Sequence, residues 1–143
     1  MKTSEEIIND IETDFARFKD WEGRYKHLVE LGRDLPDLAE EKKVDMFKVK
    51  GCQSQVWLVP SLSDNKVVFE ADSDGSIVRG IVALLLKIYS NRTPDEILQT
   101  KLDFLDKIGL KQHLSMNRAN GLASMIKQIQ MYAIAYKAKL TQG

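Results

Sequence analysis

Apolar residues recur at helical spacing toward both ends of the chain and alternate in its middle. Ile7, Ile8, Ile11, Phe15 and Phe18 share one helical face. Thr3 followed by Glu6 has the form of a capping box, which predicts that this helix starts near the amino end. A second, short helix is predicted over 21–31, with Tyr25, Leu28 and Val29 turned inward. Gly32 is expected to end it, and Leu35-Pro36 to prevent its continuation. After a charged, solvated stretch over 39–45, Phe47-Lys48-Val49 alternates like a short strand. The alternation then becomes plainer: Ser54, Val56 and Leu58 face one side of a strand, and Gln55, Trp57 and Val59 the other, with Trp57 assigned to the core. A turn-prone stretch over 61–65 leads to a second apolar strand over 66–70, which predicts an antiparallel hairpin.

The carboxyl-terminal half is helical. Asp72-Ser73-Asp74-Gly75-Ser76 offers several N-caps, Asp74 among them, for a helix over 76–89. That helix is apolar nearly all round and is expected at the centre of the molecule. Thr93-Pro94-Asp95-Glu96 combines an N-cap, a proline at the first helical position and an acidic third residue. A neighbouring helix carries Leu102, Leu105 and Ile108, with Gly109 as its stop. The last helix, over 116–139, has the cleanest stripe, which includes Leu122, Met125, Ile129, Ala133 and Tyr136. These elements predict one α+β domain over 1–143, a small antiparallel sheet of about three strands packed against several helices.

Composition narrows what such a domain does. The 143 residues include 21 basic and 21 acidic side chains, a net charge of zero, so the basic excess of a nucleic-acid binder is missing. The amino end is acidic and lacks the apolar stretch of a signal peptide, and the longest apolar run, over 81–86, is too short to cross a bilayer. A lone cysteine suits a reducing compartment. The expectation is a cytoplasmic protein with no membrane partner.

That cysteine, Cys52, is the candidate for chemistry. Residue type alone favours a small core filler, since free cysteine is among the most buried residues. Its surroundings point elsewhere. Gly51 before it implies an unusual backbone angle or a close approach. Gln53, Ser54 and Gln55 after it supply hydrogen-bonding groups where a core site would be aliphatic. Four chemistries use one thiol. A cysteine hydrolase needs a histidine base, for which only His27 and His113 exist. A peroxidase or peroxide sensor wants a low-pKa thiolate beside an arginine such as Arg118, and usually a resolving thiol, which the chain lacks. A thiolate metal or cluster site needs several sulfur ligands. A sulfur carrier needs one thiol and shelter for a labile persulfide.

The residues around Cys52 carry a resemblance. Gly51-Cys52-Gln53-Ser54-Gln55-Val56-Trp57-Leu58 resembles the signature of the SufE-like proteins. Trp21, Arg24-Tyr25, Leu31-Gly32, Leu35-Pro36, Ala71-Asp72-Ser73-Asp74, Ile77-Val78-Arg79-Gly80, Thr93-Pro94-Asp95-Glu96 and Arg118-Ala119-Asn120-Gly121-Leu122 are similar to that family's motifs in the same order. The likeness spans roughly 15–126. It implies a SufE/IscU-like fold and a sulfur acceptor for a pyridoxal-phosphate-dependent cysteine desulfurase of the SufS or CsdA kind. By that analogy Cys52 becomes persulfidated, stimulates the desulfurase and passes sulfur to an iron–sulfur cluster scaffold. The cofactor belongs to the partner; this chain is expected to hold no cofactor and no metal, and the resemblance leaves room for a homodimer. Thiol-based peroxide sensing at Cys52 is the alternative.

Other motif residues have physical readings beside the analogy. Arg118 near the amino end of the last helix is poorly placed for the helix dipole, which suggests contact with the desulfurase or with a thiolate, with a surface ion pair as the equally weighted alternative. Asp74 is assigned first to capping and second to partner contact. Gln53 and Gln55 are expected to hold the cysteine loop. Gly121 inside a helix costs about 1 kcal/mol relative to alanine, and close packing against the cysteine loop would explain it. Met116-Asn117 stands where the family often has a proline, and Gly75 where it often has alanine.

Overall fold

The computed structural model describes residues 2–142; Met1 and Gly143, the two ends of the expected domain, lie outside the described residues. Helix α1 (Ser4–Ala16) opens on the expected capping box. The Glu6 amide donates to Thr3 Oγ1 at 3.1 Å, and the Thr3 amide donates to Glu6 Oε1 at 3.1 Å. Ile11 and Phe15 are buried from it. Helix α2 (Trp21–Asp34) is capped by Asp20, which accepts from the Gly23 amide at 2.8 Å.

Gly32 does not end α2, contrary to expectation; the helix runs on to Asp34 and stops at Leu35. Gly32 instead sits where α2 crosses the central helix α3 (Ser76–Tyr89). A Cβ on Gly32 would lie 2.8 Å from the Gly80 nitrogen, and a Cβ on Gly80 would overlap the Leu28 carbonyl. The two glycines let the helix backbones touch, so the signal read as a terminator is a packing requirement.

The expected first strand is also absent. Residues Asp45–Phe47 form a 3₁₀ turn, and only a single bridge joins Lys48 to Trp57, with the Val49 amide donating to the Val56 carbonyl at 2.8 Å. The sheet therefore has two strands, β1 (Val56–Ser63) and β2 (Lys66–Ser73), antiparallel, with Val56 opposite Ser73 and Ser63 opposite Lys66. Their turn is tighter than predicted. Asp64 and Asn65 alone connect the strands, both at positive φ (50° and 67°), as a two-residue hairpin turn demands.

Helix α3 is buried on nearly every side, from Val78 through Ile88, and packs against α1, α2, β2 and the last helix. Helix α4 (Pro94–Gln99) begins with the predicted capping box between Thr93 and Glu96. Two single turns follow, α5 (Phe104–Lys107) and α6 (Leu110–His113), separated by Gly109 at φ +79°. Helix α7 (Met116–Gln142) buries Leu122, Met125, Ile129 and Ala133. One hydrophobic cluster joins all these layers. The fold class is α+β as expected, with one strand fewer. Among the described residues no helix is long and apolar enough to cross a membrane.

Candidate functional site

The loop over 50–55 lies between the 3₁₀ turn and β1, and it is seated almost entirely on positions without a Cβ. Gly51 has φ +92°, a conformation L side chains rarely adopt, and a Cβ there would lie 2.7 Å from Ser124 Oγ of α7. The next residue, Cys52, is half-buried and rests on Gly121 of α7: Sγ lies 3.2 Å from where a Gly121 Cβ would be. Its thiol donates toward the Gly121 carbonyl oxygen at 3.6 Å, a weak sulfur hydrogen bond. Gly121 inside a helix thus has the explanation anticipated for it. Ser54 meets the third glycine, with its Oγ 2.8 Å from the Cβ position of Gly75. Alanine at 75 would press on Ser54, so the glycine here suits this loop seat.

The loop's far end is clamped. The Gln55 amide donates to Asp74 Oδ1 at 2.9 Å, and the Asp74 amide donates to the Gln55 carbonyl at 3.3 Å. Asp74 is therefore not the cap of α3. Gly75 occupies that position with no side-chain cap, and the Asp74 carboxylate is used on the cysteine loop. The side chains of Gln53 and Gln55 are exposed, and the holding is done by the Gln55 backbone.

Beside the thiol opens a cavity of about 300 Å³. Val78 and Ile81 of α3 and Met125 of α7 give it apolar walls, while Gln53, Ser54, Ser115, Asn117 and Arg118 line the rest. Arg118 is exposed on the first turn of α7; its amide donates to Ser115 Oγ at 3.2 Å, and among the described residues its guanidinium has no hydrogen-bond or ion-pair partner. Among the described residues the alternative surface ion pair is not formed.

Burial pushes the Cys52 thiol above its ordinary value, with no charged group opposing the shift. At rest the group is a protonated thiol. That is the reverse of a peroxide-reactive cysteine, which needs a depressed pKa. The histidines weighed for a hydrolase lie elsewhere. His27 packs between Phe15 and Phe18, with ring centroids 5.0 and 5.1 Å away, and burial lowers its pKa. His113 stacks on Trp21 at 4.2 Å. Neither lines the cavity. Among the described residues no three histidine, cysteine or acidic side chains gather as a metal site.

The remaining motif residues position this site from behind. Arg24 Nη1 donates to the Ile108 carbonyl at 2.9 Å and Tyr25 to the His113 carbonyl at 2.8 Å, so with Trp21 they pin the segment leading into α7. Asp72 is buried and accepts from Arg79 Nη1 at 2.9 Å, with Lys43 Nζ at 3.4 Å. Arg79 also donates to the Gly32 and Leu35 carbonyls at 2.7 and 2.6 Å, satisfying the carboxyl end of α2. Trp57 is half-buried rather than core, with Lys43 Nζ 5.8 Å from its ring centroid. Sequence reasoning missed Ser124, a polar residue off the apolar stripe of α7 with no local signal of its own, and placed Val78 and Ile81 in a central apolar helix without seeing that they wall a cavity.

Fold and site together define a small α+β thiol protein whose one cysteine is docked beside a cavity. Residues 9–133 match the family described as the SufE, Fe-S metabolism associated domain. The chain belongs to the SufE family, and with it to proteins of iron–sulfur metabolism. A SufE-like protein of Rhizobium meliloti is 46% identical over 133 residues, covering 88% of this chain and 94% of the relative. One from Rhizobium etli is 47% identical over 128 residues, covering 86% of each chain. One from Synechocystis is 39% identical over 129 residues, covering 90% of this chain and 81% of the relative. The solution structure of a protein from Thermus thermophilus shares the fold, with a TM-score of 0.75 at 18% identity, covering 92% of this chain and 96% of that one.

Proposed function

We propose that the protein accepts sulfur on Cys52 from a pyridoxal-phosphate-dependent cysteine desulfurase of the SufS or CsdA kind and delivers it to an iron–sulfur cluster scaffold. The observation that carries this reading is the seat of Cys52: one thiol, with no second thiol in the chain, on a loop held by a single clamp and glycine contacts beside a cavity with apolar walls. Family membership supports the same metabolism.

The step is thiol exchange on sulfur. Cys52 loses its proton and its thiolate attacks the outer sulfur of the donor's persulfide. The donor S–S bond breaks, the donor leaves as a thiolate that takes up a proton, and Cys52 carries the new S–S bond, with no net oxidation. Attack needs the thiolate and access, and the docked thiol has little of either. The desulfurase therefore draws the loop outward, which restores an ordinary pKa and clears Gly121 from the approach, and the freed Cys52 stimulates the desulfurase by removing its sulfur. Arg118, exposed at the cavity mouth, contacts the desulfurase or steadies the thiolate as the loop moves.

Incubation with desulfurase and cysteine, followed by intact-mass measurement, tests this. The chain gains one or more sulfur atoms, reduction removes them, and Cys52→Ser takes up none and no longer raises desulfurase turnover. Unchanged stimulation by Cys52→Ser would falsify the acceptor mechanism.

A further inference from the structure

The two ends of the Cys52 cavity favour opposite charge states of sulfur. At the inner end the thiol donates toward the Gly121 carbonyl oxygen at 3.6 Å, between apolar walls from Val78, Ile81 and Met125. A carbonyl in apolar surroundings suits a neutral sulfur that carries a proton. An anionic sulfur there has no proton to donate, faces the negative end of the carbonyl dipole and is poorly solvated. At the mouth stands Arg118, the one charged side chain lining the cavity among the described residues, with its guanidinium unpaired. The nearby Asp74 carboxylate is committed to the Gln55 amide. A guanidinium suits an anion and gives a neutral thiol nothing.

Sulfur loading changes which end is preferred. A hydropersulfide is a markedly stronger acid than its parent thiol, so an added sulfur turns a protonated end group into an anion near neutral pH. We propose that sulfur loading is itself the switch that undocks the Cys52 loop: the thiol rests against Gly121, and the anionic persulfide swings its outer sulfur to Arg118 at the cavity mouth. This rests on the reading of Cys52 as a sulfur acceptor. The switch needs no reagent beyond the transfer itself, since the persulfide proton leaves to solvent and the charge is taken up by Arg118. The empty protein is retracted, and the loaded one presents its sulfur for the next transfer.

Two adducts of nearly equal size separate charge from bulk. Iodoacetate gives the full chain an anionic carboxymethyl group on Cys52, and iodoacetamide a neutral carboxamidomethyl group. Amide hydrogen exchange over 50–55 is expected to run about tenfold faster in the carboxymethyl protein, equivalent to about 1.4 kcal/mol in the opening equilibrium. The difference should vanish in Arg118→Gln and persist in Arg118→Lys. Cys52 persulfidated with inorganic polysulfide should exchange faster than the thiol form by a similar factor. Equal exchange in the two adducts, or a difference untouched by Arg118→Gln, overturns the proposal. Failure of the acceptor reading shows separately, as an intact mass that gains no sulfur from the desulfurase.

Discussion

Cys52 is kept as a thiol by the cost of placing a charge in its half-buried seat, and that cost has a sign. Burial raises the docked pKa above the ordinary thiol value of 9.0, whereas a freed loop ionises at that ordinary value. The docked state is therefore fully favoured below the ordinary value and loses stability as pH rises through it. Alkylation of Cys52 by a neutral reagent should show a pH midpoint above that of the urea-unfolded chain; coincident midpoints would refute the docked thiol. Asp74 acts at the same scale. Removing its carboxylate leaves the Gln55 amide without a charge-assisted bond, an interaction of about 1.5–3 kcal/mol. In Asp74→Ala, alkylation of Cys52 near neutral pH should be about tenfold faster or more by that same energy. The urea midpoint should hardly move, because the clamp is exposed and local. A large loss of global stability with no gain in alkylation would mean the clamp serves the fold and not the loop.

Between elements, the close crossing of α2 and α3 sets the platform on which the site is built. Gly80 meets the Leu28 backbone and not a movable side chain, so nothing there can yield to a methyl group. Gly80→Ala should destabilise the protein by about 3 kcal/mol in urea denaturation despite alanine's better helix propensity, and a neutral effect would show that the helices separate freely. The α3 residues that wall the cavity, Val78 and Ile81, flank this crossing, so the cavity inherits its geometry from it. Sequence pattern predicted both helices well. Period alone gives an element's existence and inward face, and capping residues give its start, as at Thr3 and Thr93. The same pattern misread Gly32, because a glycine that stops a helix and one that lets another helix approach look identical along the chain.

Across the whole molecule, Arg79 joins three otherwise separate parts. It takes the last carbonyls of α2, the buried Asp72 at the end of β2, and Asp37 at 3.1 Å in the segment leading to the cysteine loop. Arg79→Met should cost about 3–5 kcal/mol by leaving the buried Asp72 with the Ser73 amide at 2.7 Å and Lys43 as the more distant counter-charge, measured as the shift in urea midpoint; a loss below 1 kcal/mol would show that water replaces the guanidinium. The sequence by itself determined the α+β class, the central place of the helix over 76–89 and a close approach at Gly51 and Gly121, and it singled out Cys52 as the candidate for chemistry. Each follows from local rules: side-chain period, capping geometry, and the conformations and contacts open to a residue without a Cβ. Only the tertiary structure decided that Phe47-Lys48-Val49 forms no strand, that Asp74 clamps the loop, that Ser124 seats Gly51, and that Arg118 stands exposed at the mouth of the cysteine cavity. Those facts depend on which distant segments meet. A strand exists only if a partner strand runs alongside it, and a carboxylate serves whichever amide the fold brings within reach.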